Sequence, residues 1–141
     1  MSKITDNFEA LVKEKKLPFS KEEIESGHHL YRVQFRISDQ KLLVVELIIQ
    51  ESEDDYVDAQ IIYRKLHMLN DRAKEEKALA LMNELNEIKT GYYNVYLAGD
   101  GEVFLRTLMR TSADVNPLYQ TLIVGSTIAK NVIEELETQL G

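Results

Sequence analysis

The segment 42–50 constrains the fold of this chain more than any other. Neighbouring side chains of a β-strand point to opposite faces, and here both sets are apolar. One set comprises Leu43, Val45, Leu47 and Ile49, and the other comprises Leu42, Val44 and Ile48, interrupted only by Glu46. A strand with two apolar faces is typical of the centre of a sheet that is covered on both sides. We therefore expect 42–50 to be a central strand, with a covering layer on each face.

Two further strands flank this segment. Apolar residues alternate with polar ones over 31–38, which predicts a strand with one buried and one solvated face. The segment 56–64 follows a short acidic turn at 51–55 and adds Ile62 to the second apolar face. Because the connections between the three segments are short, we expect the strands to pair antiparallel.

A helix is predicted before the first strand. It begins at Thr5 or Asp6, either of which can cap its N-terminus. It ends near Lys16, because Pro18 disfavours helical geometry in the residue that precedes it. Residues 20–23 could then cap a further short turn before the strands begin.

Two longer helices are predicted in the second half of the chain. The first runs from Asn70 or Asp71 to about residue 89, with apolar residues at three- and four-residue spacing. The second begins at Asn116 and has Pro117 at its first helical position. Gly125 in its middle costs about 1 kcal/mol relative to alanine. We therefore expect either a close approach of another element at Gly125 or a kink there.

A hairpin lies between these two helices. Its strands are 92–97 and 102–110, joined by a glycine-rich turn at 98–101. Val103 and Leu105 share a face that Leu108 does not share. This predicts a bulge near Arg106, or a strand that is covered on both sides. The element order is then α-β-β-β-α-β-β-α, and a single α+β domain, 1–141, accounts for the chain.

The composition excludes several classes of function. The chain has 24 acidic and 17 basic side chains, a net charge of -7, which argues against nucleic-acid binding. It has no cysteine, and therefore neither a disulfide nor a thiolate metal site. It starts with polar residues and has no apolar run long enough to cross a bilayer, so we expect a cytoplasmic protein that does not enter a membrane.

No group of residues has the spacing of a catalytic or metal-binding motif. His28 and His29 are adjacent, so in an extended chain their rings point apart and cannot easily share an ion. The acidic run 51–55 lacks the length and the central glycine of a calcium-binding loop. We therefore predict no catalytic residue, no metal and no cofactor, and expect that the protein is not an enzyme.

The second apolar face is the clearest candidate for a binding surface. It comprises Leu42, Val44, Ile48 and Ile62, which are too many to leave in water. Either a helix of the same chain covers them, or a second subunit or another protein does. Tyr92 and Tyr96 are a second candidate, because alternation places them on one face of the hairpin; they either form a binding surface or pack under a helix.

The second half of the chain resembles the YbjN-like family, which shares the fold of type III secretion chaperones. The resemblance is carried by the helix 78–86, which ends in Leu85-Asn86, by the Asp-Gly-x-Val-x-Leu pattern at 100–105, and by the long helix from Pro117. It implies a five-stranded antiparallel sheet with helices packed on it. It also implies small, acidic, usually dimeric proteins that bind other proteins rather than catalyse reactions.

Two functional hypotheses follow from the sequence. The first is a non-enzymatic, homodimeric module that binds an extended or helical segment of a partner protein on an apolar surface, in a chaperone-like or regulatory role. The alternative is a small-ligand binder or enzyme with a pocket under the C-terminal helix. Tyr92, Tyr96 or His67 would supply the polar contacts of that pocket.

Overall fold

A computed structural model of the protein describes residues 2–141. The elements, in chain order, are α1 (Lys3–Glu14), β1 (Phe19–Glu23), β2 (His29–Ser38), β3 (Lys41–Ile49), β4 (Val57–Met68), α2 (Glu75–Ile88), β5 (Asn94–Leu97), β6 (Glu102–Thr111) and α3 (Asn116–Leu140). Single 3₁₀ turns occupy Glu25–Gly27 and Arg72–Lys74. The α+β class predicted from the sequence is confirmed.

The strands form one antiparallel sheet in the order β1-β2-β3-β4-β6-β5. Within residues 2–141 it has six strands, so the expectation of five was wrong. The additional strand is β1, at the position where a short turn over 20–23 was expected. The backbone of β1 pairs with the backbone of β2, and Phe19 lies opposite Val33. Because β1 lies at the edge and buries little side-chain surface, its sequence carries no periodic apolar signal.

All three described helices pack on one face of the sheet. Phe8 of α1 meets Tyr31 of β2 edge to face, with ring centroids 5.1 Å apart. The α3 helix crosses β4, where the Tyr63 hydroxyl donates to the Leu122 carbonyl oxygen. In α2, Asn86 holds the edge strand β5, because its side chain accepts from the Val95 amide (2.7 Å) and donates to the Val95 carbonyl (3.1 Å).

The predicted close approach at Gly125 is confirmed. A Cβ at this position would lie 2.6 Å from the Tyr93 hydroxyl oxygen and 2.8 Å from a ring carbon of Tyr63. Only a residue without a side chain allows α3 to lie this close to the two stacked rings, whose centroids are 5.7 Å apart. This contact outweighs the low helix propensity of glycine.

The bulge lies in β4 and not near Arg106, so the expectation for β6 was wrong. The register between β4 and β6 shifts between Tyr63 and His67, and Lys65 has a positive φ of 52°. Leu108 lies in regular strand and is 67% exposed. Its departure from the face of Val103 and Leu105 therefore reflects ordinary alternation, with its side chain on the uncovered face of the sheet.

One helix start differs from the predicted one, and the other agrees in its capping residue although the α-helix itself begins only at Glu75. Ser2 caps α1, since its side chain accepts from the amide of Thr5, which itself lies inside the helix. Asp71 caps the 3₁₀ turn that leads into α2. Among residues 2–141, no helix is both long enough and apolar enough to cross a membrane.

Candidate functional site

The face of the sheet opposite the helices, which we call the open face, carries all four predicted apolar residues. Leu42, Val44 and Ile48 alternate with buried core residues along β3, and Ile62 lies on β4, directly opposite Glu46. Leu42 is 45% exposed and Val44 is 39% exposed. Ile62 is 8% exposed, between Glu46 and Arg106 on the adjacent strands.

No helix of residues 2–141 lies over the open face. Of the two alternatives left by the sequence, coverage by a helix of the same chain is excluded for residues 2–141. The apolar surface continues at Leu108, which is in the same cross-strand row as Ile48, and at Tyr96, whose ring stacks on Phe104 at 5.4 Å. The open face is therefore a mixed surface with an apolar patch on β3 and a second one on β5 and β6.

A line of alternating charges, which we call the charged ladder, crosses the open face. It comprises Glu22, Arg32, Glu46, Arg64 and Glu102, on β1, β2, β3, β4 and β6 respectively. Arg32 lies 3.2 Å from Glu22 and 3.2 Å from Glu46, and Arg64 lies 3.7 Å from Glu46. The ladder ties five strands together and separates the apolar residues into patches.

The ladder ends in a carboxylate that is almost completely buried. The Glu102 side chain is 6% exposed and receives two hydrogen bonds from Arg64, at 2.9 and 3.1 Å. The same carboxylate accepts from the amide of Lys65, the residue of positive φ in the β4 bulge (2.9 Å). Glu102 therefore fixes the bulge as well as the ion pair.

Sequence reasoning did not find the ladder. One signal for it exists, since Glu46 is the single charged residue in an otherwise apolar set on β3. Its partners could not be identified without the strand register, because a shift of one residue would move each of them to the opposite face.

Tyr92 and Tyr96, which alternation placed together, are separated in the structure. The strand β5 begins only at Asn94, so Tyr92 lies in the preceding turn and is 79% exposed. Tyr96 lies on the open face, where the Arg106 guanidinium is 4.8 Å from its ring centroid. The expectation that the two residues share a face was wrong. The reason is that the chain turns at Gly91 before it joins the sheet.

A groove of about 610 Å³ lies beside α3, between its first turns and the outer edge of β6. Tyr92 lines it, together with Met109 and Val124. Tyr96 and His67 do not line this groove. Of the three residues suggested for a pocket under the C-terminal helix, the structure thus brings only one to a cavity beside that helix.

Two of the histidines, His28 and His29, contact Glu51 in the turn after β3. The amide of Glu51 donates to Nδ1 of His28 (2.9 Å), and its carboxylate pairs with Nε2 of His29. Both contacts fix the start of the loop between β3 and β4. His67 lies on β4, beyond the bulge. Within the described residues, no three His, Cys, Asp or Glu side chains are close enough to hold a metal ion.

On the helix side of the sheet, three buried tyrosines and one carboxylate have shifted pKa values. Burial raises the pKa of Tyr31, Tyr63 and Tyr93, so all three are hydrogen-bond donors at neutral pH. Burial alone would raise the pKa of Glu9, but hydrogen bonds from Lys21 (2.6 Å) and Tyr31 (2.7 Å) lower it below its ordinary value. These groups join helices to the sheet.

A comparison with models of known protein families gives no match for this chain, and a comparison with curated proteins gives none. The resemblance to the YbjN-like family therefore stays a prediction.

Proposed function

We propose that this protein is a non-enzymatic, cytoplasmic protein-binding module that acts as a homodimer through the open face. One observation carries the proposal: Leu42 and Val44 on β3, and Leu108 on β6, are left exposed on this face in the described chain. Contiguous exposed apolar surface on a small domain is typical of interaction sites. The suggested likeness to secretion chaperone-like proteins supports the same function.

The charged ladder would give such an interface its selectivity. Apolar contacts at Leu42 and Val44 contribute affinity but do not distinguish strongly between partners. A surface brought against the ladder must match the alternating signs of Arg32, Glu46 and Arg64, because a like charge opposite any of them is unfavourable. A second copy of the chain presents both signs and can provide this match.

Sedimentation velocity over a range of concentrations tests the proposal. We expect the wild type to be dimeric and Val44→Asp to be monomeric, since a carboxylate buried in an apolar interface is unfavourable. Val44 is already 39% exposed in the single chain, so the variant should keep its fold and its far-UV circular dichroism.

Leu79→Asp is the matched control. Leu79 is an apolar residue of α2, 49% exposed and on the opposite side of the molecule, so this variant should remain dimeric. A wild type that sediments as a monomer at every concentration, and that retains no protein from a lysate, would refute the proposed function.

A further inference from the structure

We propose that the outer edge of β6, over residues 107–111, binds an extended peptide segment as an additional strand, and that the segment fitting it alternates acidic and apolar residues. The inference rests on the proposed function only in taking the protein to be a protein-binding module. The surface involved is distinct from the apolar patch at Leu42 and Val44.

The edge is free because β5 is short. The pairing of β5 with β6 extends only from Leu97 opposite Val103 to Asn94 opposite Arg106. On its other side β6 stays paired with β4 as far as Thr111. In the described part of the chain, no strand pairs with the outer side of 107–111.

The hydrogen-bonding direction of this edge follows from the register. The amide of Ala98 donates to the Glu102 carbonyl (2.8 Å), so the even-numbered residues of β6 direct their backbone groups towards β5. The same alternation continues beyond the end of β5. The amides and carbonyls of Leu108 and Arg110 therefore point outward, and no described residue provides a partner for them.

The two sides of the free edge have different chemistry. Towards the helices lies the groove of about 610 Å³, where Val124 is 42% exposed and Tyr92 is 79% exposed. Towards the open face, Arg106 and Arg110 lie on either side of Leu108. Arg106 has no carboxylate partner among the described residues and lies over the Tyr96 ring, and Arg110 pairs with the exposed Asp58 and donates to the Tyr56 carbonyl oxygen. In a chain of net charge -7, this edge is basic on one side and apolar on the other.

This arrangement defines the occupant. In an antiparallel added strand, the residues opposite Leu108 and Arg110 have their side chains on the open face, near the two guanidinium groups, and acidic residues fit there. The residue between them, opposite Met109, points towards the apolar groove. A second copy pairing through the same edge would instead place four guanidinium groups beside two Asp58 carboxylates, which disfavours self-pairing.

The probe for the test is a fluorescein-labelled peptide of sequence Ser-Glu-Val-Glu-Val-Glu-Val-Ser, measured by fluorescence anisotropy with the full chain. We expect binding that weakens by about tenfold or more when lysine replaces each glutamate. N-methylation of the glutamate amides, which point towards β6, should abolish binding. N-methylation of the valine amides, which point away from β6, should have little effect.

The matching protein variant is Leu108→Pro. It removes one outward amide and leaves the ladder with β4 intact, because a proline is tolerated in an edge strand when its nitrogen faces solvent. Leu108→Ala, which keeps the amide, is its control and should still bind. If Leu108→Pro does not fold, the two methylated peptides decide the question with the wild type alone.

Four results would overturn the inference. The first is no binding of the unmodified acidic peptide, and the second is equal binding of the two methylated peptides. The third is binding that survives Leu108→Pro but is lost in Val44→Asp, which would place the peptide on the open face and leave the proposed function standing. The fourth is that the acidic peptide does not bind and that the dimer is lost in Leu108→Pro. This result would assign the edge to a second copy of the chain.

Discussion

Arg64 and Glu102 form a two-point ion pair across β4 and β6, with both guanidinium contacts between 2.9 and 3.1 Å. The two partners are unequally buried, since the Arg64 side chain is 40% exposed and that of Glu102 is 6% exposed. The carboxylate also accepts the amide of Lys65. Loss of the base therefore leaves a buried carboxylate without its counter-ion, whereas loss of the acid leaves an arginine that solvent can reach.

We predict that Arg64→Met destabilises the protein more than Glu102→Ala does. The glutamate variant leaves the Lys65 amide and the Arg64 guanidinium without their acceptor, at a cost of about 1.5–3 kcal/mol in the free energy of unfolding. The arginine variant removes the guanidinium, which lies 5.9 Å from the Phe104 ring centroid, and leaves the buried Glu102 carboxylate without a counter-ion, at a cost of about 3–5 kcal/mol. Urea unfolding measures both values.

Asp58→Asn is the control for these variants. Its ion pair with Arg110 lies on the same sheet face, but both side chains are largely exposed. Removing such a pair should change stability by less than about 1 kcal/mol. Equal losses in Asp58→Asn and Glu102→Ala would show that burial of the carboxylate is not what makes the Arg64–Glu102 pair strong.

We predict that Gly125→Ala is destabilising, although alanine is the better helix former. The new Cβ would overlap the Tyr93 hydroxyl and the Tyr63 ring, and overpacking of this kind costs about 1–3 kcal/mol. Thermal unfolding followed by circular dichroism measures the change. At Gly99 a Cβ meets nothing within 4 Å, so Gly99→Ala should leave the melting temperature almost unchanged.

Combining Gly125→Ala with Tyr93→Phe distinguishes the two contacts. Loss of the Tyr93 hydroxyl removes the nearest atom, but a ring carbon of Tyr93 at 2.7 Å remains. The second substitution should therefore restore little stability. Full restoration would mean that α3 is held away from the sheet by the hydroxyl alone.

We predict a loss of stability in acid that depends on Glu9. Its pKa is lowered from the ordinary value of 4.5, so the carboxylate is favoured more in the folded chain than in the unfolded one. The stabilisation is fully present above the unfolded-state pKa and disappears as the pH falls below it, through the folded-state pKa. Urea unfolding in a pH series should thus show a Glu9→Gln defect at neutral pH that shrinks below 4.5.

Glu14→Gln is the matched variant for this series. Glu14 lies on the same helix, is exposed and forms no ion pair among the described residues. Its pH dependence should follow that of the wild type. A Glu9→Gln curve parallel to the wild-type curve throughout the acid range would contradict the assignment.

The apolar pattern of the chain was enough to predict most elements. Alternation and spacing indicate β2, β3, β4 and all three helices, because each of these elements buries a continuous face. The same signal is missing from β1, where residues 20–23 are exposed and the strand exists through backbone pairing. The close approach at Gly125 was predictable because glycine in a long helix otherwise only weakens it.

The candidate site was only partly predictable. The four apolar residues of the open face follow from alternation within β3 and β4. The positions of Tyr92 and Tyr96 depend on where β5 begins. The alternation in the sequence already includes Tyr92, whereas the strand begins only at Asn94. The free edge of β6 depends on the unequal lengths of two paired strands, which local patterns at either strand do not show.

The two edges of the sheet are unlike, and this limits how the protein can assemble. One edge is formed by β1, whose residues Lys21, Glu22 and Glu23 are charged and exposed. The other edge is formed by the short strand β5 and, beyond its end, by β6. Charged side chains discourage a further strand at β1. Open-ended fibres require one edge of a molecule to accept the opposite edge of the next. With one accepting edge and one repelling edge, strand addition stops after a single step, and the exposed backbone of β6 does not make the protein polymerise.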